Sequence, residues 1–306
     1  MPGTRMTARL LKVVDGDTIK VELDGRSESL RLTCLDTEES WPGGTKPVTE
    51  GGRQASAWAK EWFDADAEGA PTTEVMLTLE FDTADPPSLA MLRHRGNYGR
   101  LLTYIWRDAV NYNLAAVAAG WSPYFVKYGR SRLYHREFLA AEAHAQSVGS
   151  GIWDPDLNGH GPTRDYTRLI PWWQMRDGWI EGYRAAGPHT GALSVRLDHA
   201  HLVTAAQRGE PVTVFCDLQG GINRWVGDSA LIYAGSPAQP FNLWIPDRQA
   251  ASAQDLLRLL ATRYTGEGRQ NYVYVTGQAS LYPPQDGGKP QIVLTDPGQL
   301  RDLPPG

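Results

Sequence analysis

Hydrophobic and polar positions alternate along much of the first hundred residues, which is the pattern of half-buried β-strands. The alternation runs over 7–23, turns at 24–25 and resumes over 27–36. It returns over 74–82 and 98–106. The first part of the chain is therefore expected to be rich in strands, with connections that contain glycine and proline.

Between and after these strands, apolar residues follow the spacing of helices. Apolar residues recur every three or four positions over 53–67, which predicts an amphipathic helix. Helices are also predicted over 110–121 and 131–153, and the second ends at its glycines. The stretch 83–97 is expected to be a loop, and a domain boundary is predicted at 154–163.

The second half of the chain begins with helices and then returns to strands. A helix is predicted to start at Pro171, because proline is favoured in the first helical turn. Another is predicted between Asp198 as N-cap and Gly209 as C-cap. Three strands, a helix at 252–264 and a final hairpin follow, an order that suits a five-stranded OB-type barrel.

The predicted organisation is two β-rich domains joined by helices. The first domain is assigned to 1–155, a helical linker or docking segment to 156–209, and an OB-like domain to 210–306. The chain has 306 residues, which is room for about two domains. The predicted fold class is mainly β with packed helices, or α+β.

Composition narrows the possible functions without choosing one. The net charge is −5, so contact with nucleic acid would need local basic groups or a bound cation. Cys34 and Cys216 lie in separate strand-like segments and are interpreted as buried thiols. The sequence has no signal-peptide pattern and no run of about 18 apolar residues, so a cytoplasmic protein without a membrane span is expected.

Two aspartates flank a glycine in the stretch VVDGDTIKV, within an otherwise strand-like segment. Acidic residues and glycine are both disfavoured in strands, so the presence of Asp15, Gly16 and Asp17 in this segment requires an explanation. One interpretation is a hairpin turn, because Asp-Gly pairs are common there. The other is a strand that borders a cation site, with the glycine as a bulge that turns a carboxylate towards the ion.

Polar residues also interrupt two other strand-like segments. The stretch RLTCLDTEE holds Arg31 and an acidic cluster at 36–39, and YGR holds Tyr98 and Arg100. Carboxylates are the ligands that Ca²⁺ or Mg²⁺ prefers, and arginines bind phosphate oxygens through a planar fork. A glutamate beside a bound water can act as a general base. Together these groups suit hydrolysis of a phosphodiester.

The order of these motifs carries a resemblance to a known family. The stretches VVDGDTIKV, LRLTCLDTEE, YGRLLTYIW, NYNLAAVAAGW and FLAAEAHAQSVGSGIW follow one another at compatible spacing. Residues 7–153 thereby resemble the staphylococcal nuclease-like, or thermonuclease, family. The resemblance implies a five-stranded OB-type barrel with packed helices that cleaves both DNA and RNA. It also implies products with a 3′-phosphate and a free 5′-hydroxyl.

The resemblance assigns a cation site and a base. Asp17 and Asp36 match the calcium ligands of the family, and Thr37 matches the residue that supplies a backbone carbonyl. Asp15 matches an acid that the family places near the ion, and Glu39 matches the catalytic glutamate. Calcium is therefore the implied cofactor.

The same resemblance identifies the residues that hold substrate. Arg31 and Arg100 match the two arginines that clamp the phosphate, and they count with Glu39 as the catalytic set. Tyr98 matches a tyrosine that contacts the substrate phosphate, and Tyr128 is assigned to substrate binding. DNA or RNA is the expected partner.

The sequence departs from the family pattern near these residues. Glu38 stands where the family usually has proline, so the loop that carries the glutamate is expected to be less rigid. Asn97 replaces a lysine of the best-known member, which is expected to weaken phosphate contact. The stretch 83–97 is longer than its counterpart in the family, which alters the approach to Arg100.

The C-terminal part bears a weaker resemblance to nucleic-acid-binding OB-fold domains. Its candidate groups for base stacking and phosphate contact are Trp225, Tyr233, Trp244, Tyr282, Arg224, Arg248 and Lys289. The alternatives are that these aromatic residues fill a small core or that the domain binds a protein partner. A further aromatic cluster, interpreted as a docking face between domains, consists of Trp172, Trp173, Trp179 and Tyr183.

Two functions of different classes follow. The first is a calcium-dependent, sugar-nonspecific nuclease with a second module for substrate or partner binding. The alternative is a catalytically inactive two-barrel module that binds nucleic acid or protein. The joint presence of Arg31, Glu39, Arg100, Asp17 and Asp36 favours the enzyme.

Overall fold

The computed structural model describes residues 2–43, 46–159, 161, 163–284 and 287–304. It divides into two compact units. The first comprises 1–126 and 130–166, and the second comprises 127–129 and 167–306. The helical segment predicted at 156–209 therefore lies mostly within the second unit.

The first unit is built on a closed β-barrel. Its strands are β1 (Thr4–Asp15), β2 (Thr18–Leu23), β3 (Arg26–Leu32), β4 (Met76–Phe81), β5 (Leu101–Arg107) and the short β6 (Val110–Asn111). The order is β3-β2-β1-β4-β5-β6, and a parallel pairing of β3 with β5 closes a ring of five strands. This confirms the OB-type barrel expected for the first domain. The alternating positions Ile19, Leu30, Leu79 and Ile105 are fully buried and form its core.

Helices pack around this barrel. They are α1 (Glu50–Trp62), α2 (Pro87–Arg93), α3 (Tyr112–Ala118) and α4 (His135–Val148). The interpretation of 83–97 as a loop was wrong for α2. Its proline lies in the first helical turn, where it is tolerated, and Ala90 is fully buried. Hydrophobic burial therefore formed a helix where the Pro and Gly content had indicated a loop.

The helices of the second unit are α5 (Tyr166–Ala186), α6 (His199–Arg208) and α7 (Ala251–Leu259). The helix predicted to start at Pro171 begins five residues earlier, so the proline lies inside it. Gly209 caps α6 with φ of 67°, as predicted. Asp198 occupies the N-cap position, but its carboxylate accepts hydrogen bonds from Ser194 N and Tyr183 OH instead of from the helix.

The second unit carries one mixed sheet. Its strands are β7 (Leu193–Ser194), β8 (Pro211–Asp217), β9 (Ile222–Val226), β10 (Ser229–Tyr233), β11 (Asn242–Ile245), β12 (Tyr272–Tyr282), β13 (Lys289–Val293) and β14 (Leu300–Arg301). The path runs β7-β8-β12-β13-β11-β10-β9, with β14 beside β12. Within the described residues its two ends do not pair, so the sheet stays open, unlike the closed barrel expected for 210–306. The β9–β10 hairpin, which the pattern did not predict, forms one edge.

The positions of the two cysteines test one expectation from composition. Cys34 and Cys216 are buried, as predicted. Among the described residues, no helix combines the length and the apolar character that crossing a bilayer requires.

Candidate active site

The Asp-Gly-Asp stretch forms the tight turn between β1 and β2. Asp15 pairs with Thr18, so Gly16 and Asp17 are the two turn residues. The hairpin interpretation was right, and the interpretation of Gly16 as a bulge within a strand was wrong. A Cβ on Gly16 would lie 2.8 Å from the Thr37 side chain, which explains the glycine. The turn places the Asp17 carboxylate in a buried position beside the end of β3.

Arg31 lies between the two predicted calcium ligands. It stands opposite Thr18 in the β2–β3 register, next to Asp17. Its guanidinium forms an ion pair with Asp17, and its Nη2 lies 2.5 Å from Asp36 Oδ1. The fork also donates to the Leu35 carbonyl at 3.2 Å. One arginine thus binds both carboxylates and fixes the spacing between the turn and the loop that follows β3.

Asp36 is surrounded by positive charge. Besides Arg31, Lys46 Nζ lies 2.9 Å from Oδ1 and Arg164 Nη2 lies 2.7 Å from Oδ2. Burial alone would raise the pKa of Asp36, but these three cations lower it well below its ordinary value. The carboxylate is therefore ionised at neutral pH. Sequence reasoning identified Arg31 but missed Lys46 and Arg164, which carry no motif.

Asp15 is the second acid of the turn. It accepts hydrogen bonds from Gly16 N at 2.8 Å and from Ser40 Oγ at 3.1 Å. Burial and the nearby charge of Asp17 raise the pKa of Asp15 to about 6. Two carboxylates this close disfavour simultaneous ionisation unless positive charge is near.

The donor atoms at this place suit a hard divalent cation. Asp17 and Asp36 bring carboxylate oxygens, and Thr37 bonds Asp17 through its amide at 3.1 Å. The buried Thr37 Oγ1 finds no hydrogen-bond partner among the residues that the structure describes. In the same described part of the chain, no group of three or more His, Cys, Asp or Glu residues is arranged as a metal cluster. The carboxylates fit a cation chemically, but here the guanidinium of Arg31 joins them.

Glu39 is the accessible acid of the site. Its side chain is 33% exposed and lies 3.4 Å from Lys46 Nζ, whereas the neighbouring Glu38 is buried. The backbone of Glu39 pairs with Val48 and accepts a hydrogen bond from Thr49 N at 3.2 Å. A water that approaches from solvent can therefore reach Glu39 but not Glu38. The assignment of Glu39 as the base stays a prediction.

Arg100 approaches the same turn from the start of β5. Its Nη1 donates to Thr18 Oγ1 at 3.2 Å. Burial and the neighbouring charge of Arg31 lower the pKa of Arg100, although an arginine remains protonated at any physiological pH. Tyr98 is 78% exposed just before it, with Gly99 in the left-handed region at φ of 78°. The structure thus brings Arg31, Arg100 and the acidic residues to one end of the barrel.

Glu38 stands where the family usually has proline, and hydrogen bonds hold its side chain in place. Its carboxylate accepts hydrogen bonds from Thr49 Oγ1 at 2.5 Å, Asn158 Nδ2 at 3.3 Å and Tyr166 OH at 3.2 Å. The expectation of a less rigid loop does not agree with this network. Side-chain hydrogen bonds replace the constraint that the proline ring would give.

Tyr128 is the one predicted site residue that is assigned to the second unit. It belongs to the segment 127–129, which packs with the second unit. Its ring lies 5.8 Å from the guanidinium of Arg176 and is 38% exposed. Its assignment to substrate binding stays a prediction.

The aromatic candidates of the second unit fall into two classes. Trp172, Trp173 and Tyr183 are buried, and Tyr183 stacks on Phe215 with ring centroids 4.7 Å apart in a core cluster against which Trp179 packs. The interpretation of these four residues as a docking face stays a prediction. The second class, on or near the surface, consists of Trp225 (48% exposed), Tyr233 (47%) and Tyr282 (62%). The guanidinium of Arg248 lies 5.2 Å from the Trp225 ring. Trp244 is half-buried in β11.

Comparison with known proteins bears on the first unit. A family model described as staphylococcal nuclease homologue matches residues 30–155. The chain is 28% identical over 153 residues to a thermonuclease of Staphylococcus hyicus. It is 30% identical over 162 residues to the SPbeta prophage-derived endonuclease YokF, and 30% identical over 145 residues to the endonuclease YncB, both of Bacillus subtilis (strain 168).

These matches cover part of each protein. They take in 49% of this chain and 78% of the Staphylococcus hyicus protein. For YokF they take in 52% of this chain and 47% of the relative, and for YncB 46% and 59%. The family-model match at 30–155 lies almost wholly within the first unit, and each of these relatives matches about half of the chain.

Proposed function

Because the chain belongs through this barrel domain to the staphylococcal nuclease-like family of nucleases, we propose that it hydrolyses phosphodiester bonds in DNA or RNA and that calcium supports the reaction. The observation that carries the proposal is the grouping at one end of the barrel. Two arginines, Arg31 and Arg100, lie beside the acidic loop, residues 36–39. Of the two glutamates in this loop, Glu39 is accessible and Glu38 is buried. This combination suits an anionic substrate and an attacking water.

Each residue then has a distinct task. Arg31 and Arg100 bind the phosphate oxygens and stabilise the negative charge that develops on them. Glu39 accepts a proton from the attacking water, whose oxygen forms the new bond to phosphorus. The bond to the 5′ oxygen breaks and that oxygen takes up a proton, which leaves a 3′-phosphate and a 5′-hydroxyl. Tyr98, which is exposed just before Arg100, is proposed to contact the substrate phosphate.

The cation would be held by Asp17, Asp36 and the carbonyl of Thr37. When bound, it supplies positive charge beside the scissile phosphate. Lys46 and Arg31, which neutralise Asp36 in this structure, lie where a cation would compete with them. Such competition predicts modest calcium affinity, in the range of about 10⁻⁴–10⁻³ M that weak sites show.

The second unit is proposed to bind nucleic acid. The support is the pair formed by Trp225 and Arg248, an exposed ring with a cation over it, in the arrangement that single strands use for stacking. Binding of a protein partner is the alternative for this unit. A catalytically inactive binding protein is the alternative for the whole chain.

The first experiment compares purified protein with the Glu39→Gln variant on plasmid, single-stranded DNA and RNA. Cleavage with calcium should vanish in EDTA and should fall at least about 100-fold in the variant, since a general base contributes that much. A gel-shift assay should find binding unchanged, because the amide keeps the size of the side chain.

Glu137→Gln is the matched control, as this glutamate is exposed on α4 and outside the site. It should cleave at the wild-type rate. If the wild-type protein binds these substrates but cleaves none of them with calcium or magnesium, the chain is a binding protein and the nuclease proposal is wrong.

A further inference from the structure

Three residues beyond the family-matched stretch reach back to the acidic loop, by which we mean residues 36–39. They are Asn158, Arg164 and Tyr166, named here the anchor residues, and all three belong to the first unit. The family match ends at residue 155, so no motif of the barrel accounts for them. Their side chains contact Asp36 and Glu38, the alternate members of the loop.

Arg164 holds Asp36 at two points. Its Nη2 donates to the carboxylate at 2.7 Å and its Nη1 to the backbone carbonyl at 3.3 Å. Its side chain is only 8% exposed, whereas that of Arg31 is 21% exposed. A guanidinium so enclosed is badly placed to grip a phosphodiester, so its effect on substrate must pass through Asp36.

Tyr166 and Asn158 hold Glu38. The Tyr166 hydroxyl donates to Oε1 at 3.2 Å, and Asn158 Nδ2 donates to Oε2 at 3.3 Å. Asn158 also accepts a hydrogen bond from Gly51 N at 2.9 Å, which ties the same side chain to the first turn of α1. Glu38 is 1% exposed, and a carboxylate this buried is tolerated only when its oxygens are hydrogen-bonded.

We infer that the anchor residues are positioning residues for the nuclease reaction, which hold the acidic loop so that Asp36 and Glu39 keep their places. This inference rests on the proposed function. Glu38, directly before Glu39, is fixed by three hydrogen bonds, and the backbone of Glu39 itself pairs with Val48. These two constraints leave little backbone freedom to Glu39, as a base near its substrate requires.

The test uses the full-length variants Tyr166→Phe and Arg164→Lys, each of which removes hydrogen bonds and keeps most of the side chain. Hydrogen exchange should accelerate about tenfold at the amides of Asp36 and Thr37, the gain in opening expected from one lost hydrogen bond. Amides in β4 should exchange as before. The kcat should fall about tenfold with KM changed less than twofold, because substrate groups are untouched.

Matched controls remove the same kinds of bond elsewhere in the first unit. Tyr134→Phe removes a tyrosine hydroxyl that donates to the buried Glu80 at 2.5 Å. Arg107→Lys removes a guanidinium that bonds the Trp62 carbonyl at 2.7 Å and Asp64. Both should leave exchange in the acidic loop and the kcat unchanged even where the melting temperature falls.

The outcomes separate this inference from the proposed function. Unchanged exchange in the acidic loop of both variants overturns the inference, whatever the nuclease activity. An Arg164→Lys variant that binds calcium more tightly in calorimetry and cleaves faster also overturns it, since Arg164 would then be a competitor of the cation. Absence of cleavage by the wild-type protein refutes the proposed function and with it the catalytic part of the inference.

Discussion

At the scale of single residues, Glu38 shows how position and partners decide the effect of a charge. A glutamate in the place of a proline suggests a looser loop when only the sequence is read. In the structure its carboxylate is buried under three donors, so it restrains the chain. The neighbouring Glu39 has the same side chain and stays accessible, with Lys46 beside it. Burial thus separates a structural carboxylate from one that solvent can reach.

Gly52 gives a residue-scale prediction near this loop. A Cβ there would lie 2.2 Å from the Glu39 carbonyl oxygen, so α1 can approach the loop only with glycine at this position. Gly52→Ala should lower the free energy of unfolding by about 1–3 kcal/mol, despite the better helix propensity of alanine. Because the displaced atom belongs to Glu39, cleavage should fall as well. Urea unfolding and a cleavage assay measure the two effects.

Gly178→Ala is the control with the opposite sign. This glycine lies inside α5, is exposed, and an added Cβ would meet nothing within 4 Å. The substitution should raise the free energy of unfolding by about 0.5–1 kcal/mol. Equal effects of the two changes would show that helix propensity, and not contact with the loop, governs Gly52.

At the scale of elements, α1 and the β1–β2 hairpin meet at the acidic loop. The hairpin turn brings Asp17 to the loop, where the Thr37 amide bonds it. The N-terminus of α1 begins after Thr49, whose hydroxyl accepts from Gly52 N at 2.9 Å and donates to Glu38. One hydroxyl therefore caps α1 and donates a hydrogen bond to the buried Glu38 carboxylate. Its loss should affect both the stability of α1 and the position of Glu38.

Thr49 therefore yields a prediction for this junction. Thr49→Val keeps the shape but loses both hydrogen bonds, and should lower the free energy of unfolding by about 1–3 kcal/mol. Thr49→Ser keeps the hydroxyl and should stay within about 0.5 kcal/mol of the wild type. Chemical denaturation monitored by circular dichroism measures both. A serine variant as unstable as the valine variant would contradict the role of the hydroxyl.

At the scale of the whole molecule, each unit holds an arginine that binds carboxylates, and the two arginines differ in their burial. Arg31 of the first unit is 21% exposed and its partners are the carboxylates of the candidate site. Arg176 of the second unit is fully buried, and it bonds Asp217, Asn271 and the Lys127 carbonyl. The first arginine can meet an anionic substrate, whereas the second is enclosed by its own unit and serves its stability.

Arg176→Met tests the structural role of the second arginine. The substitution leaves Asp217 and the fully buried Asn271 without their charged donor. The free energy of unfolding of the second unit should therefore fall by about 3–5 kcal/mol. Hydrogen exchange in β8 and β12, measured by mass spectrometry, should accelerate accordingly. Arg176→Lys keeps the charge but loses the planar fork, so its stability and exchange rates should lie between those of the wild type and of Arg176→Met. Unchanged exchange in these strands would refute the assignment.

Much of the first unit and of its site could be predicted, because residues that alternate or form a motif in the sequence are also those that form the barrel core or the site. Alternation of apolar residues predicted β1 to β5, and the motifs around Asp17, Arg31 and Arg100 predicted residues that the structure brings together. The helix α2 could not be predicted, because its proline and polar surroundings are typical of loops and only burial of Ala90 favours the helix. The open sheet of the second unit likewise depends on pairings between distant strands.

The sequence by itself determined the strands of the barrel and the residue types of a phosphodiester site, because these follow from side-chain period and local chemistry. The pairing of Asp15 with Thr18 in the structure decided that Gly16 and Asp17 form a turn. Only the tertiary structure decided that Glu38 is buried while Glu39 is accessible. It alone brought Arg164 and Tyr166 onto the acidic loop. Contacts between residues more than a hundred positions apart leave no periodic trace in a sequence, since they depend on how the elements pack.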